Sequence, residues 1–146
     1  MLNGPKTIAY CCLAALIALY IVGAVSNGSL RHEVQTLPLW IPIVLGFRHH
    51  DSVKWAALPC FLIWLVLMAL IWLFLLGWAQ ILRGHFSAVE VAMTIVVGSA
   101  SVVGTVTGLR WKTSVGLFRG LGVSALFALL QIAAIRISLI PYIATR

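Results

Sequence analysis

Four long apolar stretches separated by short polar connections set the plan of this chain. The first runs over about residues 8–26, between Lys6 and the cluster Ser26, Asn27, Gly28, Ser29. The second, about 55–82, holds no charged residue and is flanked by Lys54 and Arg83. The third covers about 88–108 and the fourth about 114–140. A helix rising 1.5 Å per residue needs about 20 apolar residues to cross some 30 Å of hydrocarbon, and each of these stretches is of that order. A shorter apolar segment, 37–47, lies between the first and second. It is too short to span, and Pro38 and Pro42 oppose a long regular helix, so it predicts an interfacial or re-entrant element anchored by Trp40. The expected fold is an all-α integral membrane protein: a single membrane domain over 1–146, with four transmembrane helices and a short interfacial or re-entrant segment between helices 1 and 2.

Local signals refine the ends. Ala24 and Ser26 form a small-x-small pattern of the kind found at signal-peptide cleavage sites, but the apolar run before them exceeds an h-region of about 7 to 15 residues and reads as an uncleaved helix. Asp51 or Ser52 is placed to cap the second span, and Pro59, about two turns in, predicts a kink or a later start. Ser87-Ala88-Val89-Glu90 is a capping box, with Phe86 and Val91 where a hydrophobic staple would stand. Thr113 or Ser114 is expected to cap the fourth span, and Pro141 to stop it. Trp64 and Trp72, eight residues apart, share a face of the second span as a packing or lipid-facing stripe.

Small residues recur at four-residue spacing on either side of the turn at Arg110, Trp111, Lys112 and Thr113. Ala100, Gly104 and Gly108 precede it; Gly116, Gly120 and Ser124 follow. Close backbone approach at small residues is a main source of helix association in lipid, where the hydrophobic effect draws no helix onto another. The pattern predicts a hairpin in which Gly108 meets Gly116, Gly104 meets Gly120 and Ala100 meets Ser124. Carried down the same register, Gln131 reaches Thr94 for a hydrogen bond, and Arg136 comes level with Glu90 for an ion pair through its long side chain. Glu90 is the one acid inside an apolar span, where a proton relay is the default reading; the capping box explains it without one.

Composition supports the membrane class and narrows the chemistry. With 62% hydrophobic and 9% charged residues, the chain is far more apolar than a soluble domain, which is about half apolar and a quarter charged. The formal charge of +7 raises nucleic acid as a partner, but the bases are scattered at the ends of apolar runs, so lipid headgroups are the expected counterpart and nucleic acid is not. Histidines 32, 49, 50 and 85 all lie in predicted connections, which disfavours haem or chlorophyll ligation within a span. His49, His50 and Asp51 form an interfacial patch; adjacent histidines diverge, so a shared metal is not expected. Cys11, Cys12 and Cys60 read as buried small hydrophobes. No catalytic constellation can be assembled, and neither an enzyme nor a cofactor is expected.

Two functional expectations follow. One is a structural or accessory subunit that packs in or assembles a larger membrane complex, with other membrane subunits or itself as partner. The alternative is a small oligomeric transporter or channel, with Glu90, Gln131 and Arg136 lining its path. Four spans would put both termini on one side. That side would hold Lys6, Arg83, Arg136 and Arg146, the other Arg31, Arg48, Lys54, Arg110, Lys112 and Arg119, so the positive-inside rule predicts both termini outside the cytoplasm of a bacterial inner membrane.

Overall fold

A computed structural model describes residues 4–26, 28–78 and 86–144. Residues 79–82 of the second predicted span, with Arg83, His85 and Arg146, lie outside the described residues. Among the described residues every regular element is a helix: α1 Gly4–Val25, α2 Ser29–Phe47, α3 Val53–Leu75, α4 Ala88–Arg110, α5 Leu117–Ser138 and the short α6 Pro141–Ala144. Four of them, α1, α3, α4 and α5, are long and apolar enough to cross a membrane.

The segment between the first two predicted spans departs from expectation. In place of a short element over 37–47, α2 is a 19-residue helix with Pro38 and Pro42 inside it. Both prolines are buried, on the same stripe as Gln35, Leu39, Ile43 and Gly46. That spacing of three and four is the signature of one helix face. Proline removes one N–H and opposes the carbonyl four residues back, an effect neighbouring helices can absorb in an apolar bundle. Here α1 packs along the whole of that face. Gly23 lies against Ser29 and His32, and a Cβ on Gly46 would come within 2.6 Å of the Pro5 carbonyl oxygen and 2.7 Å of Ala9 Cβ. The Tyr10 and Phe47 rings meet edge to face at 5.3 Å, near the start of α1 and the end of α2.

Neighbour by neighbour, the five long helices close a ring in the order α1, α2, α5, α3, α4, and α3 leans inward to meet α1 and α2 as well. Ile8, Cys12, Ala15, Leu39, Val53, Cys60 and Phe61, from α1, α2 and α3, form a continuous core. The predicted α4–α5 hairpin is absent: no Cα of α4 comes within 8 Å of a Cα of α5. Instead, α3 stands between them. The Phe61 ring fills the notch at Gly104, Leu58 packs against Gly108, and the Trp55 indole fills the notch at Gly120. Ser124 Oγ donates to the Trp55 carbonyl at 2.8 Å. The reason is geometric. A glycine notch accepts whatever fills it best, and two large aromatic side chains of α3 reach both notches.

The connection 111–116 is tied to the start of α3. Lys54 Nζ donates to the Trp111 carbonyl at 3.0 Å, Thr113 Oγ1 donates to the Asp51 carbonyl at 3.0 Å, and the Asp51 carboxylate accepts from the N–H and hydroxyl of Ser114. Thr113 and Ser114 thus clasp α3, and α5 begins later, with Gly116 at its N-cap. Ser52 holds the N-cap of α3 without a side-chain bond. Trp111 also covers Gly4, so the chain enters the bundle at the end where α2 finishes, α4 finishes and α5 begins. It leaves at the other end, where α6 contacts α2 and α5. The expectation of both termini on one side rests on four crossings; with α2 running the length of α1, Gly4 and Ala144 lie at opposite ends of the bundle.

Candidate functional site

At the C-terminal end of the bundle the five long helices do not close on one another, and they leave a cavity of about 450 Å³. The first two turns of α2 contribute Arg31, His32 and Gln35; α3 contributes Trp64 and Met68; the start of α4 brings Glu90, Thr94 and Val97. Leu19 of α1 and Ile135 of α5 belong to the remaining, apolar part of the wall. Volumes of about 300 to 1,000 Å³ with mainly apolar walls and a few polar groups characterise small-molecule sites.

The polar groups fall into two sets. One is a hydrogen-bonded junction between α2 and α5, in which Gln131 Oε1 has no partner. Gln35 Nε2 donates to Ser138 Oγ at 2.9 Å, Ser138 Oγ donates to the Ile135 carbonyl at 2.7 Å, and Gln131 Nε2 donates to the Gln35 carbonyl at 3.0 Å. All three side chains are buried, where each hydrogen bond avoids the cost of an unmet polar group. The other set is open. Arg31 Nε, His32 Nδ1 and Trp64 Nε1 are shielded from solvent and have no hydrogen-bond partner. Trp64 is only 3% exposed, which separates it from its stripe-mate Trp72 and makes it cavity wall rather than lipid-facing surface.

The predicted polar contacts resolve differently. Ser87 Oγ accepts from the Glu90 N–H at 3.3 Å, and Glu90 Oε2 accepts from the Ser87 N–H at 2.7 Å, completing the capping box. Phe86 turns its ring towards Phe74, with centroids 5.9 Å apart. The Gln131 to Thr94 bond is not made: Gln131 turns to Gln35, and the Thr94 hydroxyl donates to the Val91 carbonyl of its own helix at 2.7 Å. With α3 between α4 and α5, the register on which that bond depended does not exist. Glu90 and the exposed Arg136 share the C-terminal end of the bundle, but Glu90 is bound to its own cap rather than across to α5.

The remaining candidates lie at the opposite end or along the helices. Ala100 packs against the core, whereas Gly116 has no atom within 4 Å of where a Cβ would stand. In the patch of His49, His50 and Asp51, His50 Nδ1 accepts from the Ser52 N–H at 3.2 Å, His49 adopts a positive φ of 54°, and Asp51 holds Ser114. The patch is therefore a helix-connecting turn. Arg31 and Gln35 escape a reading by span length, because the stretch before Leu37 reads as a connection. The usable signal was the spacing Gln35, Leu39, Ile43, Gly46, which marks a helix face whatever the prolines do. No family model, curated protein or solved structure matches the chain.

Proposed function

We propose that this chain is a membrane-integral bundle of five crossings that serves as a structural or accessory subunit, seating against another membrane protein through the outward face of α5. The observation that carries the reading is a bump beside a notch on that face. Phe118 is 90% exposed, and Gly122, four residues on and therefore on the same side, has nothing within 4 Å of where its Cβ would be. Elsewhere in the long helices Gly23, Gly46, Gly104, Gly108 and Gly120 each abut a neighbour, and Gly98 has only Met68 Cγ at 4.0 Å. Small residues in membrane helices mark sites of close helix approach, and the Gly122 notch is left for a helix from outside.

A crossing by α2 supports a defined orientation. Lys6, Arg48, Lys54, Arg110, Lys112 and Arg119 then gather at the N-terminal end with Asp51, while the described part of the other end has Arg31 and Arg136 against Glu33 and Glu90. The positive-inside rule places the N-terminus in the cytoplasm and the C-terminus outside. Alkaline phosphatase fused after Arg146 is expected to be active; an inactive fusion with a fluorescent cytoplasmic reporter at the same point contradicts five crossings in this orientation.

The transporter reading has one observation in its favour. Ser101 and Thr105, below the cavity on α4, are buried with hydroxyls that find no partner. Phe61 and Val97, at most 1% exposed, close the bundle at that depth, so the subunit reading fits better. Gentle detergent extraction of the native chain and of Gly122→Leu tests it. The expected result is a defined membrane partner that copurifies with the native chain and is lost from an equally stable variant. Recovery of the native chain as a lone homo-oligomer refutes the accessory role.

A further inference from the structure

We propose that the cavity at the C-terminal end of the bundle binds an acidic amphiphile, a hydrocarbon chain ending in a carboxylate or phosphate. The inference is independent of any partner on α5. Its first support is the chemistry of the wall. A guanidinium and an indole are donors only, and Arg31 Nε and, deeper in the wall, Trp64 Nε1 are buried without an acceptor. Unmet buried polar groups are uncommon in folded proteins, and each calls for an explanation, an absent partner among them. The partner that satisfies Arg31 at the rim offers oxygen acceptors and negative charge, while Trp64, one helical turn deeper than Met68, stands beside the apolar part of the cavity.

The second support is the charge arrangement. Glu90 is the acid on this wall, and it accepts the Ser87 N–H at the start of its own helix. No carboxylate oxygen stands within 4 Å of the Arg31 guanidinium among the described residues. A guanidinium makes bidentate, charge-assisted hydrogen bonds to carboxylate and phosphate, which fixes such a headgroup at the first turn of α2.

The third support is the apolar depth. From Glu90 to Val97 the cavity follows seven residues of α4, about 10 Å at 1.5 Å per residue, and Met68 and Val97 lie along the inner part. That lining receives hydrocarbon, with the headgroup left at the rim. A small polar anion alone would leave the inner wall unfilled.

Bromine quenching of tryptophan fluorescence tests this on the purified full chain. Brominated palmitate is expected to quench saturably, and Trp64→Phe to remove the saturable part. Arg31→Gln should raise the apparent Kd at least tenfold and Arg31→Lys, which keeps the charge but loses the bidentate fork, by a smaller factor, with both variants unfolding at the native midpoint, so a loss of charge is separated from a loss of fold. A brominated alcohol of the same chain length should show no saturable phase. Vesicles of brominated phosphatidylglycerol against brominated phosphatidylcholine identify the source: selective saturable quenching by the acidic lipid points to a membrane lipid, and saturation by the free acid alone points to a soluble amphiphile. Quenching that never saturates, or saturates identically in Arg31→Gln or with the alcohol, overturns the proposal.

Discussion

Two consecutive helix pairs in this bundle use the same small-residue device and reach opposite results. α1 and α2, joined by 26–28, lie against each other from end to end, with Gly23 near one end and Gly46 near the other. α4 and α5, joined by 111–116, stand apart with α3 between them. The difference lies in what enters the notch. At Gly46 it is the backbone of α1, so two helices come into contact. At Gly104 and Gly120 it is the aromatic side chain of a third helix, Phe61 or Trp55. The connection reinforces the outcome, because Asp51 and Lys54 fasten 111–116 to the start of α3. A glycine at helical spacing thus specifies that something approaches closely, while the size of the available neighbours decides what it is.

The sharpest way to break this comparison is all-or-none. Oxidative cross-linking of Ala100→Cys with Ser124→Cys should fail, since no Cα pair between α4 and α5 is within 8 Å and a disulfide needs less than about 7 Å. Gly23→Cys with His32→Cys should link, because a Cβ at Gly23 stands 3.3 Å from His32 Cβ, near the disulfide range of about 3.5 to 4.5 Å. The reverse pattern would restore the α4–α5 hairpin.

Next in size is Gly46→Ala, which sets a methyl against the Pro5 carbonyl and Ala9, groups that cannot swing away. We expect a loss of about 3 kcal/mol in detergent unfolding, at the upper end for overpacking. An unchanged unfolding midpoint would mean that α1 and α2 are not in contact at this level. Gly104→Ala meets the Phe61 ring, which can adjust, so about 1 to 2 kcal/mol is expected. Phe61→Leu in the same chain should recover a good part of that loss. If Gly104 faced α5 instead, the second substitution would only add its own cost. The smallest effect belongs to the clasp. Asp51→Ala removes the acceptor for Ser114 and should cost about 1 kcal/mol, with proteolysis at 111–116 accelerated; unaltered cleavage there would show that the connection is held by other means.

Much of this architecture is legible from the chain alone. Apolar runs of membrane length fix the existence and approximate ends of α1, α3, α4 and α5, because crossing length and hydrogen-bond self-sufficiency are properties of each segment. The capping box at Ser87 and Glu90 is equally local, since donor and acceptor lie three residues apart. Tertiary structure alone decided the rest. Whether Pro38 and Pro42 break a helix depended on α1 lying beside them, and whether Gly104 and Gly120 meet each other or α3 depended on Phe61 and Trp55. Gln131 chose the Gln35 carbonyl over Thr94 only after α2 had been placed against α5. Even the end of the bundle at which α6 lies turned on α2, because each added antiparallel helix carries the chain to the opposite end. Helix formation is written in nearest neighbours along the sequence; helix pairing is a competition among surfaces that only the assembled bundle brings together.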